Sequence, residues 1–218
     1  MSIGMTLLIV IALLILFGVL QRVLDRMALT DRQAIACTAA IFAGGFIPDI
    51  HIGSVSINIG GALIPLILCL YLFFHAGTGK ERMRSLLASA AAAVGVFAVS
   101  RLFPSDPTAM PFDPMILNGV IAGIVAWLVG RSRRSAFIAG ILGVILADVA
   151  SALILWSQGV DQTLSLGGAG ALDAVVLAGA TGVLMCELLG EGMERISSAL
   201  RERQPSFKRK ENLPHESA

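Results

Sequence analysis

Charge is what this sequence has least of. Asp, Glu, Lys and Arg make up 14% of its 218 residues, against about 25% in ordinary soluble domains. With 56% hydrophobic residues, the chain lacks the polar side chains needed to solvate a surface of its size, which excludes a water-soluble globular domain. Cysteine is also rare. Cys37, Cys69 and Cys186 each sit in an apolar run and no pair has CxxC spacing, so neither a disulfide framework nor a zinc site is expected. His51, His75 and His215 fall in or beside three different loops and have no metal-binding spacing. Gly77-Thr78-Gly79-Lys80 lacks the four-residue gap and the Ser/Thr of a P-loop, and Gly168-x-Gly170-x-x-Asp173 ends on an acid where a dinucleotide fingerprint needs glycine. No cofactor, no metal and no nucleic-acid partner is expected.

What is present is long apolar runs. Cutting at charged and proline-rich stretches leaves seven of them, near 3–20, 33–48, 60–76, 85–102, 115–130, 135–157 and 167–190. A helix needs roughly 20 residues to cross a bilayer, with about 17 to 25 as the usual range. The second, third and fifth runs are marginal by that measure and ask for a longer helix or a thinner membrane. The first has no basic region before it and no A-x-A site after it, so it reads as a membrane helix and not as a signal peptide.

The distribution of charge supplies an independent test. In a seven-helix arrangement, every one of the 16 basic residues except Arg101 falls in alternate loops or in the C-terminal tail. The positive-inside rule then puts the N-terminus outside and the C-terminus in the cytoplasm. Asp49, Asp106, Asp113 and Asp161 lie on the opposite, outer side. The expected architecture is an all-α polytopic bundle in the cytoplasmic (inner) membrane. It comprises a seven-helix domain over 1–190, an interfacial helix over 191–203 carrying Met193, Ile196 and Leu200, and a disordered tail over 204–218. Strict polar/apolar alternation from Ser54 to Ile59 predicts a short outer β-strand, ended by Gly60-Gly61. Four prolines between Pro104 and Pro114 predict a stiff, irregular outer loop.

Inside the apolar runs, ionisable residues are almost absent, so Asp148 and Asp173 stand out. A charge at mid-membrane costs about 2.5–3.5 kcal/mol on insertion scales, and such residues usually face a bundle interior or a cavity. At 1.5 Å per residue both acids lie roughly 12–13 Å below the outer surface, on consecutive helices that are normally neighbours. Two carboxylates at close range share a proton. The leading expectation is a catalytic pair, an intramembrane aspartyl hydrolase; the alternatives are a protonatable pair in a proton- or cation-coupled carrier of a small solute, or mere packing groups in a membrane scaffold. Beyond the lipid bilayer, the expected partner is a membrane-embedded peptide or a small solute, and the oligomeric state is left open.

Gly167, Gly168 and Gly170 before Asp173 read either as close helix packing or as an unwound helix entry that admits water. Close packing is the expectation for Gly179 and Gly182. Asn58, Gly60, Gly61 and Pro65 read as a docking edge or re-entrant wall, or else as a simple outer turn; with Gly168 and Gly170 they form the candidate substrate-binding set. Glu187 reads as a water-reaching helix end near the cytoplasm.

Three blocks in this order resemble the bacterial and archaeal membrane-protein family known as domain of unknown function 1614. They are Ser56-Ile57-Asn58-Ile59-Gly60-Gly61-Ala62-Leu63-Ile64-Pro65, Ala139-Gly140-Ile141-Leu142-Gly143 running to Ala147-Asp148, and Gly167-Gly168-Ala169-Gly170-Ala171-Leu172-Asp173 with Gly179. The resemblance spans roughly residues 40–190. It implies a multi-pass membrane protein with the two Asp blocks as signatures, and implies no activity. Family members more often have Asp-Gly and Asp-Leu-Leu where this chain has Asp173-Ala174 and Asp148-Val149. The chain is more faintly similar to the GxGD intramembrane aspartyl proteases, from which it departs by two residues inserted before Asp173 and by the lack of a Tyr before Asp148.

Overall fold

The computed structural model describes residues 27, 29–75, 78–102, 113–170 and 173–203, with side chains up to 190. The first apolar run, most of the proline-rich loop, the side chains of the 191–203 segment and the tail from 204 lie outside the described residues. Helix α1 (Asp31–Gly44) starts at Thr30, whose hydroxyl accepts from the Gln33 N–H while the Gln33 side chain returns to the Thr30 N–H. This is a capping box, which satisfies two otherwise orphaned donors. Strands β1 (Ile50–Ile52) and β2 (Val55–Ile57) form a hairpin, and a π-helical turn (Ile59–Leu63) leads into α2 (Ile64–Phe74). Then come α3 (Gly79–Leu102), α4 (Pro114–Gly130), α5 (Arg133–Ser157), β3 (Leu164–Leu166) and α6 (Ala174–Arg203).

Two of these helices, α3 and α5, are long and apolar enough to cross a membrane, while Ile59–Phe74, Pro114–Gly130 and Ala174–Gly190 are shorter apolar helices. At 1.5 Å per residue, α5 is roughly 37 Å long and α4 roughly 26 Å, so the helices differ in how far they would fill ~30 Å of hydrocarbon. Hydropathy places the helix boundaries at the charges. The structure extends α3 back to Gly79 and α5 back to Arg133, taking in Lys80, Arg82, Arg84, Arg133 and Arg134. Long basic side chains allow this because their stems lie along the helix while the charge sits at its end.

The bundle core is built on small residues. A methyl at Gly140 would meet the Ala178 carbonyl oxygen at 2.6 Å, one at Gly123 the Thr181 side chain at 2.5 Å, and one at Gly119 the Leu177 side chain at 2.8 Å. Gly179 and Gly182 likewise face Ile141 and Ala136 at 3.0 Å, as expected of close-packing residues. These contacts draw α6 against α4 and α5, the mode of association that lipid favours because apolar burial alone gives helices no reason to pair there. Ala88, Ala92, Ala122, Ala126, Ala136 and Ala139 are fully buried within the same bundle.

The single expected strand proves to be the middle of a three-stranded sheet, ordered β1-β2-β3. β1 and β2 pair antiparallel with Ile52 opposite Val55, and Gly53 (φ +59°) supplies the positive φ that a two-residue hairpin requires. β3 joins β2 in parallel, Ser56 opposite Ser165. Its residues follow α5, so the sheet ties the connection after α1 to the connection after α5 at one end of the bundle. The last apolar run does not begin a helix at 167. The chain there first completes β3 and then turns through Gly167 and Gly170, both at positive φ, before α6 starts at Ala174 and continues unbroken to Arg203.

Candidate functional site

The end of the bundle that carries the sheet also carries the candidate residues. Asn58 is buried and wholly engaged by its own chain. Its Oδ1 accepts from Gly60 N–H at 3.0 Å and Gly61 N–H at 2.9 Å, its Nδ2 donates to Asp49 Oδ1 at 2.8 Å, and its backbone N–H donates to the Leu166 carbonyl at 3.0 Å. Ser56, on β2, donates from Oγ to the other Asp49 oxygen at 3.0 Å. Asp49 was legible only as an outer acid; its part in this network depends on the hairpin fold.

Gly60 and Gly61 are required by space. A side chain on Gly60 would run into the backbone of Ile41, Gly44 and Gly45, and one on Gly61 into the carbonyls of Gly167 and Gly170. Pro65 is buried in the first turn of α2, where its missing N–H costs nothing. Gly170 approaches Gly45, and Gly168 faces only the Ser165 side chain. The six candidate substrate residues are thus brought to one end, with Gly61 holding the turn after β2 against the turn after β3, and Gly60 and Gly170 packing on the end of α1.

That second turn places Asp173. The Asp173 N–H donates to the Gly170 carbonyl at 3.0 Å, and its carboxylate accepts from Val175 N–H at 3.0 Å and Ala169 N–H at 3.3 Å. Asp173 therefore stands at the start of α6 as its N-cap, and not two turns inside the helix as depth counting predicts. An acid there also complements the positive end of the helix dipole. Asp148 lies nine residues before the end of α5, half-buried, and has no hydrogen-bond or ion-pair partner among the described residues. The Asp173 charge acts on it electrostatically. Among the described residues no group of three or more His, Cys, Asp or Glu is placed to hold a metal.

Comparison with known families follows these same residues. The profile of a family described as "Protein of unknown function (DUF1614)" matches residues 23–185. The chain belongs to this family. It is thus a membrane protein of the DUF1614 family, and the matched region takes in both acids, the Asn58 turn and the three glycines before Asp173. No curated protein and no solved structure matches the chain. The fainter likeness to the GxGD proteases receives no support from any match.

At the opposite end of the bundle, the structure corrects the reading of Glu187. It is 9% exposed and paired with Arg133 at 2.6 Å across the α5–α6 contact. Arg134 reaches Glu81 of α3 at 3.5 Å and the His75 carbonyl at 3.2 Å, and Ser132 donates to Glu81 at 3.2 Å. A charge near the end of an apolar run looks solvated in sequence. Here its partner comes from a helix that begins fifty-four residues earlier, and no local pattern reveals it.

One prediction concerns the Asn58 turn. Asn58→Ala leaves the N–H groups of Gly60 and Gly61 and one Asp49 oxygen without their partner. At about 1–3 kcal/mol for a buried group left unsatisfied, the protein should lose about 2–4 kcal/mol, and Asn58→Asp should also be destabilised, because the oxygen replacing Nδ2 would face the Asp49 carboxylate in place of a donor. Thermal unfolding in detergent measures this; equal stability of Asn58→Ala and wild type would refute the capping role.

Proposed function

We propose that the chain is a seven-span protein of the cytoplasmic membrane, N-terminus outside and C-terminus inside, whose Asp148 exchanges a proton beside a fixed Asp173 anion as part of a proton- or cation-coupled carrier. The topology is supported by the distribution of charge in the fold. Lys80, Arg84, Arg131 and Arg133 gather at the end where α3 and α5 begin and α4 finishes, and Asp49, Asp113 and Asp161 belong to the sheet-bearing end. The positive-inside rule assigns the first end to the cytoplasm.

The observation that carries the proton-exchange reading is the inequality of the two acids. Asp173 has both oxygens held by backbone N–H groups, while Asp148, within its electrostatic reach, is held by nothing described. Hydrogen bonds to the charged form favour it, so the two N–H donors bias Asp173 toward its carboxylate, while Asp148 has no such donors to oppose its protonation. Intramembrane ionisable residues of this kind mark ion and proton pathways. Hydrolysis asks two carboxyls to flank one water and trade roles as base and acid, and Asp173 is committed to its helix instead. In this reading the Asn58 and Gly167–Gly170 turns are the rigid wall that sets the position of Asp173, and the transported solute passes beside them.

The test is infrared difference spectroscopy of the purified protein across a pH step. Wild type should show a protonated-carboxyl band that Asp148→Asn abolishes, and Asp173→Asn should shift that band without removing it. An unchanged band in Asp148→Asn would end the proposal.

A further inference from the structure

The basic end of the bundle carries an open, shallow groove of about 710 Å³ between the start of α3 and the end of α4. Its lining is graded. Lys80, Met83, Arg84 and Leu87 follow one another at i, i+3, i+4 and i+7 and so share one face of α3. On α4, Leu128 lies one turn before Arg131. Both helices therefore pass from cation at the bundle end to apolar side chain further in, and the two gradients face the same groove. Leu87 is 63% exposed and Leu128 55% exposed, so the inner part of the groove is an open apolar surface. Lys80, Arg84 and Arg131 are exposed and have no acidic partner among the described residues.

Arg131 adds an independent sign. It is the one non-glycine residue with positive φ among those described, at φ +53° in the cap of α4. Glycine is the usual occupant of this position, and an L side chain there costs about 1 kcal/mol or more. An arginine is held in a conformation that glycine would adopt freely, and this residue borders both this groove and a second one beside it that also contains Trp127 and Arg133. Strain of this kind is typical of sites where the side chain serves a ligand.

We infer that this groove binds an anionic phospholipid, its phosphate on Lys80, Arg84 and Arg131 and an acyl chain along Met83, Leu87 and Leu128. The charge complements a phosphodiester, the apolar stretch continues in the direction a chain would take from it, and basic pockets between membrane helices are established headgroup sites. The inference rests on the membrane setting of the bundle and not on the acid site at its other end. Failure of the infrared test on Asp148 leaves it standing, and its own failure leaves proton exchange untouched.

The experiment is native mass spectrometry of the full chain in detergent with dioleoyl phosphatidylglycerol, dioleoyl phosphatidylcholine or inorganic phosphate added. Phosphatidylglycerol should be retained at least tenfold more tightly than phosphatidylcholine, and inorganic phosphate should not be retained. Arg131→Gly is the informative variant, because it removes the charge and relieves the backbone together. It should unfold at the same or a higher temperature than wild type without lipid, yet bind phosphatidylglycerol about fivefold more weakly, the effect of one basic residue near an anionic lipid. Arg84→Gln with Arg131→Gly should weaken it about twenty-fivefold. Equal retention of the two lipids, unchanged affinity in the double variant, or phosphate binding as tight as the lipid would each overturn the site.

Discussion

Gly61→Ala is expected to yield no stably folded protein. The added methyl would fall on the carbonyl oxygens of Gly167 and Gly170, backbone atoms that cannot rotate out of its way. Those carbonyls are themselves fixed, since Gly170 N–H bonds to the Gly167 oxygen and Asp173 N–H to the Gly170 oxygen. Relief therefore requires the turn after β3 to move, and with it the parallel pairing of β2 with β3 and the cap of α6. Disruption on this scale belongs to the exceptional class of single substitutions, about 4 kcal/mol or more. Gly168→Ala is the matched control. Its methyl would meet only the Ser165 side chain, which can turn aside, so a change within about 1 kcal/mol is expected. Size-exclusion chromatography and thermal unfolding in detergent distinguish the two. A monodisperse Gly61→Ala protein with wild-type stability would show that the two turns do not touch.

Removal of Glu187 is the second large effect. Glu187→Leu leaves Arg133, only 14% exposed at its side chain, without a counter-charge between α5 and α6. Breaking one side of a buried ion pair costs about 3–5 kcal/mol, chiefly through the stranded charge. Glu187→Leu combined with Arg133→Met removes both charges and should recover most of that loss, because apolar replacements of a buried pair are often neutral or better. Denaturant titration in mixed micelles measures both. If the double variant were no more stable than Glu187→Leu, the loss would come from packing and not from an unpaired arginine.

The helices were legible because apolar runs are long and charges interrupt them. The runs at 115–130 and 135–157 lie within a residue or two of α4 and α5. Errors arose where contacts distant in sequence decide the structure. The Ser54–Ile59 alternation marks a strand, but nothing near it indicates that Ile50–Ile52 and Leu164–Leu166 flank it. Hydropathy cannot separate β3 from the helix that follows, since Leu164, Leu166 and the glycines all read as apolar, and so it places Asp173 in a helix interior instead of at a helix start. The two acids were found because a carboxylate in an apolar run is conspicuous by itself. Their inequality was not, because it depends on which backbone N–H groups point at which oxygen. Glu187 shows the opposite failure: a charge in an ordinary-looking place, made unusual by Arg133.

The parallel joining of β2 to β3 has a consequence for biogenesis. Ribosomes add roughly 5–20 residues per second, so β2 waits on the order of 5–20 s after its own synthesis before β3 exists to cover its edge. During that interval the four helices α2 to α5 are made while a strand with unpaired N–H and C=O groups stands open beside them. The hairpin partner β1 protects one side only. The sheet at this end of the bundle is consequently completed late, and a nascent chain stalled before Leu164 would present a sticky strand edge for quality-control factors to recognise.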